Sequence, residues 1–154
     1  MTEPGEADLL IAEGRFAQAR DIYSTLLDED PENPGFISGF YISSYWANRI
    51  DQINSLREGR ARGEQLVALF DQFETSFNEK KLEKTAALQA VTGSILGDAA
   101  ENFRISFQRE GSLGLDKGVL VSLVLCLIRI QDYKNAYEVL AYAGSFNETP
   151  KMKY

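Results

Sequence analysis

Residues 7–33, ADLLIAEGRFAQARDIYSTLLDEDPEN, decide the fold. They read as a short helix, a turn at Gly14, a second helix and a stop at Pro31-Glu32-Asn33. Gly14 suits a tight turn because it has no Cβ. Pro31 ends the second helix because proline lacks the amide proton that an interior helical position donates. Such a hairpin leaves an apolar side that it cannot bury alone, so the rest of the chain must cover it.

Downstream, FISGFYISSYWANRIDQINSL follows Pro34-Gly35 and carries Phe36, Phe40, Trp46 or Ala47, Ile50, Ile53 and Leu56 at helical spacing. Gly59 or Gly63 marks a turn. Leu66, Leu69, Phe70, Phe73 and Phe77 then recur at intervals of three and four, the pattern of an amphipathic helix with one aromatic stripe. That stripe reads as core rather than as a cofactor box. After the charged NEKKLEK (78–84), Ala86, Ala87 and Ala90 line one helix, and Ala99 with Phe103 repeats the Ala19–Tyr23 pair. REGSLGLDKG (109–118) reads as a Gly-rich linker. In the last unit Leu120, Leu123, Val124 and Leu127 line a first helix, and Tyr133, Ala136, Leu140 and Ala143 a second. Taken alone, Val119–Ile130 also fits a buried strand. The phrase DYKNAYEVL decides for helix, because it is the second half of a hairpin whose first half must precede it. The chain is predicted to be all-α.

Leu10, Gly14, Phe16, Ala19, Tyr23, Leu26 and Pro31 fall where a tetratricopeptide repeat places its packing residues, and the chain resembles that family. The family's period is about 34 residues. The likeness is closest in Ala7–Asn33, then in Leu120–Ala143, then in Ala86–Ser106, and least in Ile37–Phe77. It implies a right-handed α-solenoid of four stacked hairpins in one domain, at residues 3–31, 36–78, 82–109 and 117–144. If Gly63 takes the role of Ala19, Val67 takes that of Tyr23, and the second hairpin begins with a helix longer than the family pattern. Array ends call for a polar cap, which Ser145, Asn147 and Glu148 supply only in part. The chain therefore reads as one part of a larger protein or as one that pairs end to end with another copy.

The resemblance also implies a mode of action. Such repeats bind and do not catalyse, and the first helices of their hairpins line a concave groove that holds an extended peptide or a partner helix. Carried over residue by residue, the groove comprises Asp8 and Ile11, then Ile42, Tyr45 and Trp46, then Leu88 and Val91, then Leu125, Ile128 and Arg129. Arg49 lies about one turn beyond Tyr45. Tyr, Trp and Arg are enriched among binding hot spots. For Trp46 the core and the groove remain equal alternatives. Members that grip a C-terminal carboxylate use paired Lys and Asn, and Pro4 and Asp8 at the matching places argue against that ligand.

Composition narrows the field. The net charge is -7, from 23 acidic and 16 basic side chains, which disfavours duplex nucleic acid and anionic membrane surfaces. The chain has no histidine, which removes the usual general base near neutral pH and the commonest metal ligand. Cys126 is the single cysteine and reads as a buried, inert core residue. The N-terminus MTEPGEADLL lacks a signal pattern, and VLVSLVLCLI is about half the ~20 residues a bilayer span needs, so the expected location is cytoplasmic.

Four other constellations read blandly. GSLGLDKG lacks the Gly-Lys-Ser/Thr ending of a phosphate loop, and DEDPEN lacks EF-hand spacing. Asp98 and Glu101 read as solvated carboxylates. Arg57, Arg60 and Arg62, interspersed with Glu58 and Glu64, read as a charge network. The expectation is a non-catalytic protein–protein interaction module or scaffold with a protein or peptide partner, no cofactor and no metal. Structural self-association as a homo-oligomer is the rival, and an all-α enzyme is the least favoured reading.

Overall fold

Prolines open two of the helices. Pro4 and Pro34 each occupy the first turn, where the missing amide proton costs nothing. Ahead of Pro34, the Asn33 side chain accepts from the Gly35 amide at 2.9 Å and the Phe36 amide at 3.1 Å, capping the helix. A computed structural model describes the backbone of residues 3–110 and 117–151 and the side chains of 3–109 and 117–142. Among the described residues there are eight helices and no strand: α1 (Pro4–Ala12), α2 (Phe16–Glu29), α3 (Pro34–Ala47), α4 (Ile50–Asn54), α5 (Arg60–Glu79), α6 (Ala86–Glu110), α7 (Lys117–Arg129) and α8 (Tyr133–Lys151).

The turns of α1–α2 and α7–α8 match residue for residue. Arg15 N donates to Leu10 O at 2.8 Å, and Asp132 N to Leu127 O at 2.8 Å. Gly14 N donates to Ile11 O at 3.0 Å, and Gln131 N to Ile128 O at 2.9 Å. Both hydrogen-bond pairs form the Schellman motif that closes a helix C-terminus through a left-handed residue. That residue is Gly14 at φ 83° in one turn and Gln131 at φ 65° in the other. Phe16 thus corresponds to Tyr133, Ala19 to Ala136 and Tyr23 to Leu140.

Neighbouring helices approach where a small residue receives a large ring. Tyr23 of α2 lies on the α3 backbone at Gly39, where an added Cβ would stand 2.1 Å from the Tyr23 Cζ. Phe103 of α6 lies on Gly63 of α5, where an added Cβ would stand 2.9 Å from the ring. Ala19, Ala99 and Ala136 are all buried, as their positions in the repeat register predict. The centre of the core is aromatic. The Trp46 ring lies 6.4 Å from Phe16, 5.3 Å from Tyr45, 6.2 Å from Phe70 and 5.5 Å from Phe73.

Three expectations need correction. The lengthened first helix of the second hairpin is two helices, α3 and α4, because α3 ends at Ala47, Asn48 caps it, and Arg49 leaves the helical region at φ -112°. The hairpin expected at 82–109 is one helix of 25 residues. Its buried side runs unbroken through Ala87, Val91, Ile95, Ala99 and Phe103, and Gly93 and Gly97 stay helical instead of turning. This helix packs against α1, α3, α5 and α7, so it is central to the fold rather than one layer of a series. Finally, Tyr133 and Leu140, expected to line a core, are exposed. The expected linker at 109–118 lies mostly outside the described residues, and the side chains of Ala143, Ser145, Asn147 and Glu148 lie outside them entirely.

Candidate functional site

The predicted groove residues divide into three groups. Ile11, Ile42, Trp46 and Val91 are wholly buried, so they present nothing to a partner. Trp46 is core: α3 turns it inwards, and the Phe70 and Phe73 rings of α5 close over it. Its indole Nε1 is buried without a hydrogen-bond partner, as is the Ser44 hydroxyl.

A second group is committed within the fold. Asp8 accepts a hydrogen bond from the Tyr23 hydroxyl at 2.5 Å. Burial raises the Asp8 carboxyl above its ordinary range, and the Tyr23 hydrogen bond opposes that rise only in part. The Tyr23 hydroxyl is itself driven upwards by burial and by Asp8. Arg49 stacks 3.5 Å above the Tyr45 ring and donates to the Tyr45 carbonyl at 2.8 Å. Tyr45 and Arg49 are both half-buried and pack against each other.

The third group lines a groove between α5 and α7. Arg129 crosses it, donating to Asp71 at 2.9 Å and Glu74 at 3.2 Å, with its guanidinium 5.2 Å from the Phe70 ring centre. Leu88 and Arg129 border one shared depression, and a cavity of about 540 Å³ adjoins it. Val67 and Leu125 face that cavity, and Cys126 contributes to its wall. The Cys126 thiol is buried, and burial raises its pKa to about 11. A thiol so placed holds little nucleophilic thiolate near neutral pH.

The charged constellations are structural. Arg62 pairs with Asp98 at 2.6 Å and donates to the carbonyls of Ile53 at 2.7 Å and Leu56 at 3.0 Å. Arg60 meets Glu64 at 3.3 Å, Arg104 meets Glu101 at 2.9 Å, and Arg109 meets Glu58. Asn102, which nothing in the sequence pattern singles out, is buried, accepts from Gly59 N at 2.8 Å and donates to Asp98. Asn102 and Arg62 together fix the segment between α4 and α5 onto α6. Among the described residues there is no acidic, cysteine or histidine cluster fit for a metal, and no helix long and apolar enough to cross a membrane.

The surface with the most unburied apolar area lies elsewhere. Val121, Leu125 and Ile128 form an exposed stripe along α7, and Tyr133, Tyr137 and Leu140 a second along α8. Each stripe follows the i, i+4, i+7 spacing of one helix face. Tyr137 is 73% exposed and Tyr133 61%. The stripes meet across a groove of about 350 Å³, where Val121 and Leu125 face Val139 and Leu140. Tyr142 projects from the opposite side of α8, towards α6, and is set edge-on to Phe107 at 5.8 Å. Periodicity in the sequence finds both stripes but assigns Tyr133 and Leu140 to the interior. No family model matches the chain, and no curated protein or solved structure matches it either.

Proposed function

We propose that this chain is a non-catalytic, cytoplasmic protein–protein interaction module of tetratricopeptide-like hairpins whose working surface is the outer face of α7–α8. One comparison within the chain carries the reading. In the first hairpin, Phe16 and Tyr23 are buried because α3 lies over them. Their counterparts in the last hairpin, Tyr133 and Leu140, stand in solvent. Since the two turns match, the last hairpin offers the seat that α3 fills on the first, and a helix from a partner fits it. The solenoid reading rests on these two hairpins, while α3–α5 and α6 depart from it. The groove at Leu88 and Arg129 is a weaker candidate, because Asp71 and Glu74 already engage the arginine.

The test is a photo-cross-linking residue placed at Tyr137 or, as a control, at the exposed Gln52 of α4, in cells of the source organism. A discrete cross-linked species at position 137 that is absent at position 52 supports the reading. Equal labelling at both positions, or none at either, contradicts it.

A further inference from the structure

Resting on that reading, we infer that the partner is a second copy of this chain, with α8 packed antiparallel against α8 of the other copy across a two-fold axis near Ala136–Tyr137. Area is the first argument. At ordinary side-chain sizes the two stripes expose roughly 650 Å², most of the ~800 Å² that one partner brings to a standard interface. A typical monomer's largest apolar patch covers roughly 300–600 Å².

Complementarity is the second argument. Among the described residues, the only other exposed large hydrophobic side chains are Leu9 and Ile37, one on α1 and one on α3. Among the described residues no apolar face elsewhere can receive α7–α8 head to tail, so the surface of a second copy that matches it is the same face. Such an interface is isologous and closes as a dimer.

Charge gives the third argument and sets the direction. Lys134 is exposed on the free flank of the α8 stripe, and Glu138, one turn on, is exposed where that flank turns towards Arg104 and Gln108 of α6. A two-fold axis perpendicular to antiparallel helices brings like flanks together. Centred near Ala136, it places each Lys134 opposite the Glu138 of the other copy, giving two reciprocal ion pairs. A parallel arrangement brings opposite flanks together and forms neither pair. With α7 lying beside α8 in each copy, the result is a four-helix layer in which the stripes bury one another.

The experiment is sedimentation equilibrium of the purified full chain across micromolar concentrations. The expected mass is twice 17.2 kDa at the upper end. Y137E should raise the dimer dissociation constant by at least about thirtyfold, as loss of a central aromatic does, with an unchanged helical circular-dichroism spectrum. K134E and E138K should each raise it roughly three- to tenfold, and the double reversal K134E/E138K should restore it, because the reversed pairs are again opposite in sign. A monomer at every concentration, or a dimer indifferent to Y137E, overturns the proposal. A dimer sensitive to Y137E but not rescued by the double reversal overturns the antiparallel arrangement. A purified monomer whose position 137 still cross-links to a different protein in cells refutes the second copy and leaves the interaction reading standing. Absence of both refutes both.

Discussion

Trp46→Ala should cost the protein much of its stability rather than disable a binding groove. The side chain has no solvent exposure, and four aromatic rings lie within 6.4 Å, centre to centre. Phe or Trp to Ala in a core typically costs about 3–5 kcal/mol, and a site walled by other rings collapses poorly, so the upper end applies. A domain of this size holds about 5–15 kcal/mol in total. Trp46→Phe offers an internal comparison. It leaves a smaller gap and also removes an indole N–H that is buried without an acceptor, whose burial costs roughly 1–3 kcal/mol. These terms oppose each other, and the expected net loss is under about 2 kcal/mol. Urea denaturation followed by far-ultraviolet circular dichroism measures both variants, since Trp46 is the sole tryptophan and its fluorescence is lost. A loss below about 1.5 kcal/mol for Trp46→Ala, or equal losses for Ala and Phe, would refute the placement of Trp46 at the centre of the core.

Three further outcomes follow from the packing, the turns and the Asp8 carboxyl. Gly39→Ala places a Cβ 2.1 Å from a Tyr23 ring that Asp8 holds in position, and should cost about 3 kcal/mol or more in thermal or chemical denaturation; a loss under about 1 kcal/mol counts against that contact. The matched turns should respond with opposite signs, Gly14→Ala destabilising and Gln131→Gly stabilising by about 1 kcal/mol each, because both positions need a left-handed backbone; shifts of the same sign would show that the turns differ. The Asp8 carboxyl is raised, so the folded protein holds that proton more tightly than the unfolded chain and loses stability as pH rises through the folded value. Asp8→Asn keeps an acceptor for Tyr23 without the buried charge, so it should be more stable than wild type at neutral pH. The gain should shrink on acidification and vanish below 3.8, and a gain independent of pH would sink the argument.

The first and last hairpins are legible in the sequence because their signals are local. Gly14 and Pro31 punctuate one, and in the other the three-residue spacing of Tyr133 and Ala136 repeats that of Phe16 and Ala19. The middle is not legible, because its decisive contacts are distant. Residues 82–109 read as a hairpin until α1, α5 and α7 surround α6 and reward a continuous apolar side. The break at Asn48–Arg49 leaves the apolar spacing intact, so periodicity passes over it. Asn102 and Gly59 lie 43 residues apart, and no pattern in either segment announces their hydrogen bond. The same limit explains the site. A helical stripe shows which residues share a face, whereas the presence of a covering helix, found over Phe16 and among the described residues not over Tyr133, is a property of the whole chain. Family register therefore places Ile11 and Ile42 in a groove that the packing closes, and of the two alternatives for Trp46 the packing selects the core.

The central claim, that the α7–α8 face associates with protein, is tested most directly by the native size of the tagged chain in fresh extract, compared with an L125E/Y137E variant. Both side chains are more than half exposed, so the pair should leave the fold intact. The wild-type chain should elute well above its 17.2 kDa monomer mass, and the double variant, equally helical, at the monomer position. Identical elution of the two proteins would contradict the claim.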